Sequence, residues 1–375
     1  MLWRSDPAVL VTGATGFIGR HVVPRLLLVG RRVVTLARRR GELTGEQRVA
    51  EIFGDMCRHS LEVVEADLAD SAALQSKIRR RGSTIDTLIH CAGETAFSAG
   101  ERESSRNVQI DGPLALLKML RRAGLRRWVH VSTAFVCGRR AGVIYENETD
   151  LGQEFHNGYE RLKLELEIRL KQECRQLGVD LRICRPSIVV GSAPATSGGV
   201  PSNLFLAFLR LLAALSRRPD ARNTLLRIHG RKRARFNIVP VEYVAAAIER
   251  LTDDSEAAGE TIHLVAKNAP TQQHMLEMMG KRLDLRNLHL VDAIEDLGDR
   301  SPLEIRVARM LLPYRDYLEQ DVQFDDSAAL RLLGRYSTEP PEIDDRELER
   351  FLELAGCSRR NGILPAARGH APPVI

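Results

Sequence analysis

Tyr159 and Lys163 stand four residues apart in Tyr159-Glu160-Arg161-Leu162-Lys163, a stretch with helical patterning that continues to about Leu177. At that spacing both side chains share one helix face. An ammonium beside a phenol favours the phenolate and lowers its pKa. Such a phenol exchanges a proton with a substrate oxygen. A hydroxyl opposite would hold the same oxygen, and Ser132-Thr133 offers one at the end of an apolar run. A Tyr-x-x-x-Lys pair is common by chance, so its meaning depends on what surrounds it. Near the chain start, uncharged Val9-Leu10-Val11-Thr12 breaks into Gly13-Ala14-Thr15-Gly16-Phe17-Ile18-Gly19. Three glycines three apart suit a turn in which the backbone approaches a pyrophosphate and then opens a helix. The free N–H groups and positive dipole of that helix start attract phosphate. A dinucleotide bound there would exchange hydride while the phenol exchanges the proton.

These groups need a scaffold, and the periodicity supplies one. Strands are expected at Val9–Thr12, Arg32–Ala37, Leu61–Ala66, Thr87–Gly93, Arg127–Thr133 and Asp180–Gly191. Helices are expected at Glu46–His59, Ala69–Arg80, Arg106–Ala123 and Tyr159–Leu177. Strand and helix alternate, which predicts an α/β fold with a Rossmann-type doubly wound parallel sheet. Ligands bind such sheets at the carboxyl ends of the strands, where Ser132 and Thr133 fall. Arg38-Arg39-Arg40 ends the second strand about 20 residues past the glycine turn, where such a fold reads the adenosine ribose. An acid there would hold the 2′-hydroxyl of NAD; arginines suit the extra phosphate of NADP. Asp67, followed by Leu68, fits either an acceptor for the adenine amino group or a helix cap. Cys91, Ala92 and Gly93 end the fourth strand in small side chains that let a cofactor lie against the backbone.

The chain has 375 residues, 44% hydrophobic and 28% charged, as for a soluble globular protein with a large core. No signal peptide is expected, since Arg4 and Asp6 lead straight into the first strand, and no uncharged run reaches the length of a membrane span. Six cysteines, Cys57, Cys91, Cys137, Cys174, Cys184 and Cys357, form no Cys-x-x-Cys pair. That argues against a metal site or disulfide framework and fits the cytoplasm. The net charge of +6 reads either as an arginine-rich solvated surface or as a face for an anionic partner. No aromatic-interleaved basic motif points to nucleic acid.

Taken together and in this order, the pieces from Val9 to Gly191 resemble the extended short-chain dehydrogenase/reductase superfamily. Several segments narrow the resemblance to fatty acyl-CoA reductases and thioester reductase domains. These are His90-Cys91-Ala92, Val131-Ser132-Thr133-Ala134-Phe135-Val136, Asn157-Gly158-Tyr159-Glu160 and Phe236-Asn237-Ile238-Val239-Pro240-Val241-Glu242. Pro313-Tyr314-Arg315-Asp316-Tyr317 with Phe324-Asp325-Asp326 carries it, more thinly, to about Gly334. The resemblance implies Thr133, Tyr159 and Lys163 as catalytic residues. It implies Gly13, Thr15, Gly16, Phe17, Ile18 and Gly19 as the phosphate turn, and Arg38 for the 2′-phosphate. It places Asp67 and Leu68 at the adenine, Cys91, Ala92, Gly93 and Ser132 along the cofactor, and Pro186 and Ile188 on the nicotinamide side. Three residues depart from the pattern: Leu162 for a small residue before the lysine, Gln109 for asparagine, and Gly93 for alanine.

The implied activity is NADPH-dependent reduction of a fatty acyl or polyketide-like thioester, carried by coenzyme A or an acyl carrier protein, to aldehyde or alcohol. The same triad would serve a simple carbonyl or alcohol, sterol-like, or a nucleotide-sugar epimerase or dehydratase. Residues 1–191 with 236–266 form the expected NADP-binding domain. Residues 192–235 and 267–356 form a smaller, mostly helical substrate lobe, and 357–375 a disordered tail. Ala269–Asp316 reads as mixed helices and Glu342–Leu354 as an amphipathic helix. The apolar stretch Leu204–Leu215, ending in Arg217-Arg218, reads as an acyl tunnel wall, a membrane-surface helix or core. Arg231–Arg235 reads as a charged turn or as a contact for carrier phosphates. Monomer, homodimer and peripheral membrane contact all remain open.

Overall fold

The computed structural model describes residues 7–54, 56, 60–68, 70, 76–77, 84–93, 103–191, 204–218, 222–292, 299–312 and 315–354. The chain runs through β1 (Ala8–Thr12), α1 (Gly19–Leu28), β2 (Val33–Ala37), α2 (Gly45–Phe53), β3 (Leu61–Glu65) and β4 (Ile85–His90). It continues through α3 (Gly112–Arg122), β5 (Arg127–Val131), β6 (Gly142–Ile144), α4 (Gly158–Leu177), β7 (Asp180–Pro186) and β8 (Ile188–Val190). The remainder is α5 (Leu204–Ser216), β9 (Leu226–His229), β10 (Ile238–Pro240), α6 (Val241–Asp253), β11 (Thr261–Leu264), α7 (Gln272–Leu283) and β12 (Leu288–Val291). After these come α8 (Pro302–Leu311), β13 (Val322–Phe324), α9 (Ser327–Leu333) and α10 (Asp345–Leu354).

Seven strands pair in parallel, in the order β11-β7-β5-β4-β1-β2-β3. Strands this apolar are buried on both faces, as a parallel sheet requires. Alternate side chains go to opposite layers. Val9, Val11, Ile89 and Val129 meet α1 and α6 through Val22, Val23, Val244 and Ile248. Leu10, Leu88 and Trp128 meet α3 and α4 through Leu116, Leu120, Leu166 and Leu170. The strand order reverses between β1 and β4, and an open α/β sheet has its ligand crevice at that point.

A second apolar cluster joins α5, α7, α8 and α10 with β9 and β12. Phe205, Phe208, Leu209 and Leu212 of α5 are buried in it. Of the three readings of this stretch, core packing is the one these contacts describe. Among the described residues no helix is long and apolar enough to cross a membrane.

The elements differ from the sequence reading at several points, and β11, the seventh strand of the sheet, is not among the expected strands. The expected strand Asp180–Gly191 breaks at Ser187: up to Pro186 it pairs with β11, and from Ile188 it pairs with β10. The expected helix from Arg106 begins with a π-helical turn, Asn107–Asp111, before α3. At Gly112 a Cβ would lie 2.7 Å from the Leu68 carbonyl oxygen, so only glycine lets α3 start against that loop. The stretch expected as mixed helices contains β12. Most of the expected helix Ala69–Arg80, Pro313-Tyr314 and the expected tail lie outside the described residues.

Candidate active site

The glycine turn leaves β1 and enters α1 in the tightest packing of the crevice. Gly13 has φ +71°, and a Cβ there would lie 2.6 Å from the Ala92 nitrogen. A Cβ on Gly19 would lie 2.2 Å from the Gly13 carbonyl oxygen. Neither position tolerates a side chain, which brings turn, helix start and the end of β4 together. The Thr12 carbonyl accepts from the Cys91 N–H at 3.1 Å, and the Thr12 Oγ1 accepts from Ala92 N–H at 3.4 Å. No side chain caps α1, and its first turn holds no acid, an arrangement that suits a phosphate.

Arg38, Arg39 and Arg40 are exposed beyond β2. Arg38 and Asp67 are 3.8 Å apart. Arg48, in α2, was not singled out from the sequence. It donates to the Arg38 carbonyl at 2.7 Å and to Thr15 Oγ1 at 3.0 Å, linking the arginine run to the glycine turn. Burial lowers its pKa, followed by the charges of Arg40 and Arg38, with Glu51 opposing. Its contact with Thr15 spans 33 positions of sequence, and no local pattern announces it.

Lys163 is buried, 5% exposed, and its Nζ donates to the Val131 carbonyl at 3.1 Å. The same Nζ lies 3.1 Å from where a Gly93 Cβ would stand, and Gln109 Oε1 lies 3.7 Å from that point. Glycine in place of alanine thus leaves room for the ammonium, and the longer amide of Gln109 reaches the same space. Burial brings the Lys163 pKa down to about 8, with Cys91 and Glu167 opposing. Cys91 itself is held as a thiol, its pKa pushed up to about 12 by burial.

Tyr159 opens α4, half-buried, with the Lys163 Nζ 6.0 Å from its ring centre. The expectation that the lysine lowers this phenol's pKa is not met. Burial raises it, and the neighbouring Glu160 charge raises it further. The phenol is held as a proton donor. Thr133, beyond β5, uses its Oγ1 to accept from the Phe135 N–H at 3.3 Å, which leaves its own proton free. Ser132 Oγ and Ser187 Oγ are buried without a hydrogen-bond partner among the described residues.

Phe135, Ile188, Phe236, Tyr317 and Phe324, with Arg235, Asn237 and Gln320, wall a narrow cleft of only about 10 Å³. Beyond the helical turn Arg315–Glu319 lies a cavity of about 170 Å³ with Ile228, Val307, Leu311 and Leu318 in its walls and Arg227 and Arg315 beside them. Pro186 ends β7 just before the kink that turns Ile188 into the cleft. The sequence quoted Tyr317 within a family segment but gave it no role. Its ring meets Phe135 edge-on at 5.3 Å. No group of three or more His, Cys, Asp or Glu side chains is arranged for a metal ion among the described residues.

The profile described as male sterility protein matches residues 11–248. The chain belongs to that family. It is an extended short-chain dehydrogenase/reductase with an NAD(P)-binding domain. This family member is 30% identical over 183 residues to sterol demethylase protein B of Methylococcus capsulatus, a stretch covering 48% of this chain and 51% of that protein. It is 25% identical over 288 residues to carboxylic acid reductase of Mycobacterium tuberculosis, 68% of this chain but 24% of that one. The chain spans about half or less of the curated relatives it matches. Among solved structures, the terminal R domain of the myxalamid PKS-NRPS pathway aligns with a TM-score of 0.72 at 22% identity, covering 92% of this chain and 90% of that one. A thiolation-reductase di-domain from an archaeal non-ribosomal peptide synthetase gives 0.71 at 16%, covering 93% and 89%. Both likenesses concern the fold.

Proposed function

We propose that this protein reduces an acyl thioester with NADPH, releasing a thiol and an aldehyde. The observation that carries the reading is the convergence of groups at one crevice. Gly13 packs on Ala92, Gly93 makes room for Lys163, and Lys163 reaches both Val131 and the Tyr159 ring, next to an aromatic cleft. Apolar and aromatic walls suit an acyl chain better than a sugar diphosphate. The likeness to a carboxylic acid reductase points the same way.

Gly13, Gly16, Gly19 and the start of α1 would hold the pyrophosphate, and Arg38 and Arg48 the 2′-phosphate. Asp67 and Leu68 would flank the adenine. Pro186 and Ile188 would stand on the nicotinamide side. When bound, the nicotinamide supplies hydride. Thr133 donates a hydrogen bond to the thioester oxygen, and Tyr159 donates a second from a phenol kept protonated. As the carbonyl carbon becomes tetrahedral, these two donors stabilise the developing oxyanion. Lys163 holds the protonated amine that returns a proton toward the phenol. Collapse re-forms the carbonyl as the aldehyde and breaks the C–S bond; the leaving thiolate takes the Tyr159 hydroxyl proton, which the Lys163 ammonium then replaces. Arg235, at the cleft, would meet the carrier's phosphate-bearing arm, whether coenzyme A or an acyl carrier protein. In this reading residues 1–191 with 236–266 serve the dinucleotide, and residues 192–235 with 267–356 serve the acyl group.

The test is oxidation of NADPH and of NADH by the purified protein with long-chain acyl-CoA, acyl carrier thioester, a simple ketone and UDP-glucose as separate substrates. Thioester-dependent oxidation with NADPH preferred supports the reading. Turnover of the ketone or of UDP-glucose, with none of the thioesters, overturns it.

A further inference from the structure

Glu160 follows Tyr159 directly, and its carboxylate is fully excluded from solvent. A buried carboxylate is costly unless donors surround it, and three do. The His156 backbone N–H donates to Oε2 at 3.0 Å, and His156 Nδ1 lies 3.0 Å from the same oxygen. The third donor is the Tyr317 hydroxyl, on Oε1, from a segment 157 positions away. Tyr317 in turn accepts from Asn157 Nδ2 at 2.8 Å. Asn157 is the N-cap of α4, its Oδ1 accepting from Glu160 N–H at 3.1 Å. The phenol of Tyr317 therefore touches both residues that fix the first turn of α4, the turn that carries Tyr159. Its ring also stacks on His156 at 4.9 Å.

The segment bearing Tyr317 is itself anchored. Asp316 pairs with Arg139 at 2.6 Å, and Gln320 Nε2 donates to the Gly138 carbonyl at 2.6 Å and the Arg140 carbonyl at 3.0 Å. Beyond it β13 pairs with β6. Tyr317 also lines the aromatic cleft.

We propose that Tyr317 is a positioning residue for Tyr159. It acts through the buried Glu160 carboxylate and the Asn157 cap, and it makes the reach of the catalytic phenol depend on the segment that also walls the substrate cleft. The inference rests on the assignment of Tyr159 as the proton-donating phenol. A misplacement of about 1 Å in a reacting group can cost roughly a hundredfold in rate, and the first turn of a helix is the part most easily displaced.

The test uses Tyr317→Phe, which keeps the ring in the cleft and deletes the hydroxyl. Two controls accompany it: Glu160→Gln, which keeps an acceptor for Tyr317, and Tyr145→Phe on the exposed surface. Thioester kcat and KM are measured with NADPH, and ring-labelled tyrosine NMR is recorded on the apo-protein, with Tyr159 assigned from Tyr159→Phe. The expected result is a tenfold or greater fall in kcat for Tyr317→Phe at nearly constant thioester KM, with a smaller fall for Glu160→Gln. The Tyr159 resonance shifts or broadens in Tyr317→Phe and is unchanged in Tyr145→Phe. An unmoved Tyr159 resonance in Tyr317→Phe, or a kcat equal to wild type, overturns the proposal. If the wild type turns over no thioester, the functional reading fails by itself, and the NMR result still decides whether Tyr317 positions Tyr159.

Discussion

Lys163 carries a charge that the fold opposes, so replacing it should make the apo-protein more stable while ending activity. Its pKa falls from 10.5 to about 8 on burial. Each tenfold loss of proton affinity is worth about 1.4 kcal/mol, so the protonated lysine destabilises the native state by on the order of 3 kcal/mol. Below about pH 8 both folded and unfolded chains hold this proton, and the whole destabilisation is present. Between pH 8 and 10.5 the unfolded chain holds a proton that the folded chain has released, so stability rises with pH. Above pH 10.5 neither is charged and the difference is gone. Lys163→Met keeps the length and removes the charge, but it leaves the Val131 carbonyl without its donor, a loss of about 1 kcal/mol. The variant should therefore be more stable than wild type by about 2 kcal/mol near pH 7, with the advantage close to zero near pH 9.5. Urea denaturation of both proteins at the two pH values measures this. A Lys163→Met protein less stable than wild type at neutral pH, or a difference that ignores pH, would refute the reasoning.

Thr133→Ala should lower kcat roughly a hundredfold through loss of one oxyanion donor, read by NADPH oxidation at saturating thioester with dinucleotide binding unchanged. Arg48→Ala should raise the KM for NADPH about tenfold or more and leave that for NADH nearly unchanged, since a charge-assisted bond to the 2′-phosphate is lost only with the first; equal effects on both would remove Arg48 from that role. Phe205→Ala should cost about 3–5 kcal/mol of stability in denaturant titration without altering acyl chain-length preference; a changed preference with intact stability would make α5 a tunnel wall. Glu167 and Arg185 form a buried pair at 2.6 Å, exposed 0% and 1%. Glu167→Leu should leave the guanidinium uncompensated and cost about 3–5 kcal/mol, and a neutral result would show that solvent reaches it.

Six of the seven sheet strands were legible because each is a short apolar run bounded by glycine or charge; the edge strand β11, only Thr261–Leu264, is too short to stand out as such a run. The Tyr159–Lys163 spacing was legible for the same local reason: four residues on a helix fix a face. Contacts between distant segments were not. Arg48 reaches Thr15, and Tyr317 reaches Glu160, only because loops bring them together. The break at Ser187 was hidden because β8 is as apolar as β7, and only the exchange of partners from β11 to β10 separates them. The direction of the Tyr159 pKa was missed because spacing placed the lysine nearby but said nothing of burial or of the charge on Glu160.

The most direct measurement of the central claim follows hydride and thiol together. The protein is given NADPH deuterated at the transferring position and an acyl-CoA, and the products are analysed by mass spectrometry with a thiol count. One deuterium on the former carbonyl carbon and one free thiol for each aldehyde formed are predicted. Thiol release without deuterium transfer, or neither, would contradict the account.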